Sequence, residues 1–463
     1  PSFPLPPVKE VAGLEGRVLV DGFKYADKQV EAFFLSHFHG DHYDGLSENF
    51  DGPGRIYCTK TTGDLVVQEL KVRKELVVCY EYGESAHVCG AKVTFLDANH
   101  CPGAALLLFE LEDGTVHLHT GDMRYDKKMK EYPELVCRRG LIDRVYLDTT
   151  YCHPKHVFPG QDKSIDIIAS DVVEFLQKGS TQDEQEAIDG AQENRDGDDP
   201  SRRLVLLSAY KIGKERVICE VARRAKAKVY VDEAKMRVMR CLRMSEEDLS
   251  VFTCNMRESQ IHICRMGFAG DIWPFFRPNF VNIERYIKDN DLPFTSCMAF
   301  IPTGWADSSN YNKKNSLQFK GNFSVKCVPY SEHSNYNELV EFVEFLRPRN
   351  VFPTVFTDEK ARRTMISRFS RYVDSNAVKK AFVTSMFAGA GGKVKDESGK
   401  GKEDRGKKEV KRAANRVKEE RSEGRRLTLV KEEAVFSSCD VIDLCGDDSS
   451  SGGEEMKVGG RRR

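Results

Sequence analysis

No Cys-x-x-Cys pair occurs among the 14 cysteines of this 463-residue chain. Their scatter from Cys58 to Cys445 excludes a small secreted disulfide framework and points to buried, inert thiols in a reducing compartment. No apolar run approaches the roughly 20 residues that span a bilayer; the run Ala104 to Phe109 is among the longest. The proline-rich start, Pro1-Ser2-Phe3-Pro4-Leu5-Pro6-Pro7, lacks the charged-then-apolar order of a secretory signal, so no membrane partner is expected. The first residue is Pro1 and not Met, which leaves room for a preceding segment. An excess of one charge is also lacking. The formal net charge is −1, so any charged partner must be recognised by local patches.

Histidine is scarce too, at 11 positions, yet three of them fall in His37-Phe38-His39-Gly40-Asp41-His42. This stretch follows the strand-like run Ala32-Phe33-Phe34-Leu35. Histidines at i and i+2 on an extended segment point to one side. Asp41 and His42 lie at a turn where a helix can begin, and can face the same cavity from another direction.

The hydrophobic content of 40% suits a sizeable core, and the length suits two or three domains. Residues 14–150 read as short strands with turns between them. Again and again an apolar strand runs out and an Asp or His sits just beyond it: Asp21, His37, His100, Asp122 and Asp148. Such residues can converge at one edge of a sheet. Residues 152–295 change character, with a helical period over Ile165 to Leu176, a polar loop expected to be disordered at 180–201, and alternating strands and helices that suggest an α/β unit with a parallel sheet. Residues 296–385 return to strands, Cys297 to Ile301 and Phe323 to Val328, and end with helices. His333 follows the second of these strands. From about Gly389 the chain is rich in Lys, Arg, Glu, Gly and Ser, and reads as a disordered tail.

His37, His39 and His100 with a carboxylate make a His₃Asp set, and Asp41, His42, another His and a shared Asp make a second. Such donors suit zinc, with manganese or iron as alternatives. Asp122 could bridge two ions, and the chemistry would be hydrolysis by an activated water.

The motif set resembles the metallo-β-lactamase superfamily. Further stretches are similar to the β-CASP DNA nucleases, and among them to the DNA cross-link repair exonucleases that include Artemis and Apollo: Leu96-Asp97-Ala98-Asn99-His100-Cys101-Pro102-Gly103-Ala104, His119-Thr120-Gly121-Asp122-Met123-Arg124, Leu147-Asp148-Thr149-Thr150-Tyr151-Cys152, Pro302-Thr303-Gly304-Trp305 and Pro329-Tyr330-Ser331-Glu332-His333-Ser334. The resemblance spans about residues 15–385. It implies a metallo-β-lactamase αββα sandwich with an inserted α/β β-CASP cap domain and a disordered C-terminal tail. The expected divisions are 1–151 for the first part of the sandwich, 152–295 for the cap, 296–388 for the return segment and 389–463 for the tail. The resemblance also implies that His37, His39, His100 and Asp122 hold a first metal, and Asp41, His42, Asp122 and His333 a second. Zinc is expected at both, with magnesium or manganese as alternatives at the second. Asp21 matches a motif that braces the metal site. Asp148 and His333 match the first two β-CASP motifs, and Val355 the third, where a valine goes with DNA-acting members. Asp41, Asp122, Asp148 and His333 are the expected catalytic residues.

The function implied is a 5′→3′ DNA exonuclease in interstrand cross-link repair, acting in the nucleus on single-stranded DNA or on DNA with a free 5′-phosphate. A structure-specific endonuclease and a non-catalytic repair scaffold are the alternatives. Ser208, Lys211, Gly213 and Lys214 form a strand–turn–helix whose free amides could hold a phosphate, and Ser331 is a further candidate. Related nucleases carry Ser where this chain has Lys211. A basic stripe from Arg223 to Lys228, continued by Lys235, Arg237, Arg240 and Arg243, could track a strand's phosphates. In the tail, Lys407 to Arg412 and Arg425-Arg426 are nuclear-import candidates. Lys395, Lys418 and Lys431 resemble SUMO acceptors, and Val441-Ile442-Asp443-Leu444 resembles a SUMO-binding motif that would add to a partner's sheet edge.

Overall fold

The computed structural model describes residues 4–177, 199–272, 275–306 and 310–374. The 389–463 tail, with its import and SUMO-related motifs, lies outside the described residues, as does most of the polar loop.

Two sheets, built from the first part of the chain and one late strand, face each other. One is parallel, in the order Arg17–Val20, Val30–Phe34, Arg55–Thr59, Val77–Tyr80. The other runs Asn350–Pro353, Arg144–Leu147, Val116–His119, Ala105–Leu111, Ala91–Asp97, Ser85–Val88. Side chains alternate along each strand, so each sheet has two apolar faces to cover. Val18, Val20 and Phe34 meet Phe95, Leu107 and Phe109 between the sheets. The opposite faces, Leu19 and Phe33 on one sheet and Leu106, Leu108 and Leu118 on the other, take helices. Leu65 and Val66 come from helix Lys60–Leu70, and Leu339, Phe342 and Val343 from helix Tyr336–Leu346. The result is the α/β/β/α sandwich.

A third, seven-stranded sheet has the order Phe252–Thr253, Val229–Tyr230, Ile261–Arg265, Arg203–Ala209, Ser296–Thr303, Phe323–Pro329, Leu317–Lys320. Every pairing in it is parallel except the last. Helices Gln161–Gln177 and Glu215–Ala225 cover one face through Ile168, Val172, Val217 and Val221. Helix Phe280–Asp289 covers the other through Ile283.

This sheet corrects one boundary. Strands Ser296–Thr303 and Phe323–Pro329 were expected in the return segment of the sandwich, but they pair with Arg203–Ala209 and with each other. The inserted sheet therefore extends to Pro329, and the return begins with the loop that carries His333. A fully buried apolar strand looks the same in sequence whichever parallel sheet it joins.

Among the described residues, no helix is long and apolar enough to cross a membrane.

Candidate metal centre

His37 and His39 follow the strand Val30–Phe34, and His39, on extended backbone, leads directly into the short helix Gly40–Tyr43. His100 lies in the turn after Ala91–Asp97, and Asp122 just past Val116–His119. Asp148 follows Arg144–Leu147. The strand ends thus deliver these side chains to one rim. Gly121 lets the segment before Asp122 come close: a Cβ there would sit 2.6 Å from the Ser36 Cβ, and its φ is +52°.

Two groups of possible metal donors form, and Asp122 belongs to both: His37, His39, His100 and Asp122, and Asp122, Asp148 and His333. In the first, His39 Nδ1 lies 2.9 Å from His37 Nε2 and 3.1 Å from His100 Nε2. Asp122 Oδ2 lies 3.7 Å from both His37 Nε2 and His100 Nε2.

The outer ring nitrogens show that these inner nitrogens carry lone pairs. His39 Nε2 donates to the Ile212 carbonyl at 3.1 Å, and His100 Nδ1 to the Glu332 carbonyl at 2.7 Å. Ser36 gives its hydroxyl proton to Asp21 Oδ2 at 2.7 Å, so its oxygen accepts from His37 Nδ1 at 2.9 Å. Burial first, then the neighbouring imidazoles, pushes His37 and His100 well below the ordinary imidazole pKa, and burial lowers His39 as well. Three neutral imidazoles aiming lone pairs at one another beside a carboxylate repel unless a cation sits among them. The donor set therefore fits a metal ion.

His42 and His333 differ. Burial opposes a charge on His42, but Asp122, Asp41 and Asp21 outweigh it and hold its pKa well above the ordinary value. His42 spans Asp21 Oδ2 at 2.8 Å and Asp122 Oδ2 at 3.3 Å. Asp41 Oδ2 lies 3.4 Å from His42 Nε2, with its side chain largely exposed. His333 Nδ1 meets Asp148 Oδ2 at 2.8 Å, and despite burial Asp148 and Asp122 push its pKa up to about 9. Asp148 also accepts from the Met123 and Thr150 amides. Asp21 accepts from the Ser36 amide at 2.8 Å, so it sits behind His42 and Ser36. Val355 is tied to Thr149, beside Asp148, through its amide and carbonyl.

These shifts carry a signed prediction. At pH 7 the three imidazoles of the first group are neutral, so an ion entering it displaces few protons. His42 and His333 are charged, so a second ion using them must release about one proton from each, and its binding should tighten as pH rises from 7 towards 9. Titration calorimetry in buffers of different ionisation enthalpy measures this. Equal proton release for both ions would contradict it.

The structure commits the phosphate candidates elsewhere. The Gly213 amide donates to the Glu215 carboxylate and the Lys214 amide to Glu332. Ser208 is buried against Cys264, Lys211 pairs with Glu69 at 3.1 Å, and Ser331 bonds the His333 backbone. The helix start is thus already capped by carboxylates. Much of the basic stripe is also paired: Arg224 with Glu220 and Asp166, Lys228 with Glu258, Arg243 with Asp64.

Residues 246–359 match the model of the DNA repair metallo-β-lactamase family. The chain is 38% identical over 381 residues to DNA ligase 6 of Arabidopsis thaliana, covering 80% of this chain and 25% of that protein. It is 34% identical over 355 residues to the DNA cross-link repair 1A protein of Gallus gallus, covering 76% and 33%. It is 33% identical over 328 residues to the 5′ exonuclease Apollo of Gallus gallus, covering 70% and 59%. The chain belongs to the DNA repair metallo-β-lactamase family. It spans only a quarter to a third of the length of the first two relatives. Within the family's frame, sequence reasoning missed Ser36, Arg124 and Glu332. Ser36 and Arg124 flank the ligand motifs, and that adjacency was the available signal.

Proposed function

We propose that this chain is a metal-dependent nuclease that hydrolyses DNA phosphodiester bonds from a free 5′ end in the 5′→3′ direction, in the repair of interstrand cross-links. The observation that carries the reading is the sharing of Asp122 by two groups of metal donors. One buried carboxylate common to two sets suits a pair of ions bound close together. His37, His39, His100 and Asp122 would hold one ion. Asp122 and His333, with His42 and Asp41 beside them, would hold the other. Zinc is the ion that best fits imidazole with carboxylate. When bound, the ions supply Lewis acidity to the phosphodiester and activate water for attack. The protein's own part is orientation: Asp148 fixes the ring of His333, and Asp21 that of His42. The relatives' printed names, a 5′ exonuclease and DNA cross-link repair proteins, support the substrate class. Genomic DNA as substrate implies a nuclear protein.

Incubation of zinc-loaded protein with 3′-labelled single-stranded DNA, with and without a 5′-phosphate, tests this. A ladder that depends on the 5′-phosphate is expected. Internal cuts indifferent to the 5′ end would make the protein an endonuclease, and no cleavage at all would remove the nuclease reading.

A further inference from the structure

The Gly213 and Lys214 amides of the segment Tyr210–Lys214 are occupied, yet the segment is held by more buried charge than a connecting turn needs. Lys235, on helix Glu233–Cys241, is 8% exposed. Its ammonium donates to the Tyr210 carbonyl at 3.2 Å, the Lys211 carbonyl at 2.9 Å and Glu215 Oε1 at 2.9 Å, which uses all three of its protons. Glu215 in turn accepts from the Gly213 amide, at 3.0 and 2.9 Å. Glu332 accepts from the Lys214 amide at 2.6 Å, and Lys214 Nζ lies 3.8 Å from its carboxylate. Gly213 and Lys214 both have positive φ, +111° and +65°, and a Cβ on Gly213 would meet Glu332 Oε2 at 2.8 Å. Four buried charges therefore clamp one tight turn.

At the centre of that turn is Ile212, 1% exposed, whose carbonyl accepts from His39 Nε2 at 3.1 Å. This bond puts the His39 proton on the outer nitrogen and leaves Nδ1 bare towards His37 and His100. The inserted α/β unit thus reaches into the donor set of the sandwich through one backbone oxygen.

We infer that Lys235 is a positioning residue for the metal centre: its ammonium holds the 210–214 turn so that the Ile212 carbonyl fixes the tautomer and aim of His39. The inference rests on the metal-dependent reading above. Partners that orient a ligating histidine typically change metal affinity by about 10–100-fold when lost. A merely structural lysine would change the melting temperature and leave that affinity alone.

The test is zinc affinity by competition with a chromophoric chelator, on the whole chain. Lys235→Met removes the clamp. Lys235→Met with Glu215→Gln removes both charges, so that no carboxylate is stranded. Expected is a folded variant by circular dichroism whose tighter zinc site has weakened by about 10–100-fold. A folded variant with zinc affinity within about twofold of wild type overturns the inference and leaves the nuclease reading standing. A wild-type protein that binds no zinc overturns both. Should neither variant fold, hydrogen exchange on the wild type decides, because coupling is reciprocal. Zinc should slow exchange of the Gly213 and Lys214 amides, though neither residue is a ligand. Unchanged exchange there would overturn the assignment.

Discussion

Asp122→Asn is expected to lower DNA cleavage by at least about 10³-fold while the chain stays folded. The carboxylate is the one side chain common to both donor groups. Its Oδ2 lies 3.3 Å from His42 Nε2 and 3.7 Å from His37 and His100. Asparagine keeps the shape but removes the negative charge that two cations would share, and its amide nitrogen offers protons where lone pairs are needed. Removing one preorganised electrostatic group from a catalytic site costs about 10²–10³-fold in many enzymes, and on the proposed two-ion reading this change would weaken both ion sites together. Single-turnover cleavage of 5′-phosphorylated DNA gives the rate, and metal analysis of the same sample gives the ions bound. Cleavage within tenfold of wild type would show that the two groups do not act as one site.

The second large effect concerns stability. Arg124, two residues beyond Asp122, is 2% exposed. Its guanidinium donates to the carbonyls of Ser331, His333 and Pro159 and to Glu338 Oε1 at 2.8 Å, and lies over the Phe158 ring. Glu338 also completes the capping box of helix Tyr336–Leu346. One cation thus joins the Asp122 segment, the His333 loop and the helix that follows it. Arg124→Met would leave a partly buried carboxylate and several carbonyls without this partner. The expected loss is about 3–5 kcal/mol, read as a lower urea midpoint. Glu338→Gln, which retains an acceptor for the helix cap, should cost less, about 1–2 kcal/mol. Equal midpoints for wild type and Arg124→Met would show that water or a rearranged loop replaces the guanidinium.

The His37–His42 stretch was readable because its donors are contiguous and histidine is otherwise rare. The strand-then-Asp pattern found Asp122 and Asp148 for a similar reason: a strand end sets where the next side chain goes. Segment 208–215 shows where such reading stops. Its sequence describes a helix start with open amides, and one of the carboxylates that fills them, Glu332, lies more than a hundred residues away. Local sequence carries no record of that partner. Lys235 misled in the same way, since a lysine in a basic stripe looks solvated until Glu215 and two carbonyls are found around it. The division at 295 failed because strand register between distant segments is a tertiary fact.

The pairing of Asn350–Pro353 with Arg144–Leu147 bears on how the molecule is made. About two hundred residues, including the whole seven-stranded sheet, are translated between these neighbouring strands. At roughly 5–20 residues per second, that interval lasts about 10–40 s. Throughout it, the edge of Arg144–Leu147 that Asn350–Pro353 will cover stays open, and such an edge can pair with other chains. Asp148 waits at the end of that strand for His333, which emerges only shortly before the closing strand. A nascent chain therefore carries a complete first donor group long before the second exists, and chaperone supply and translation speed, more than final stability, should set the yield of active molecules.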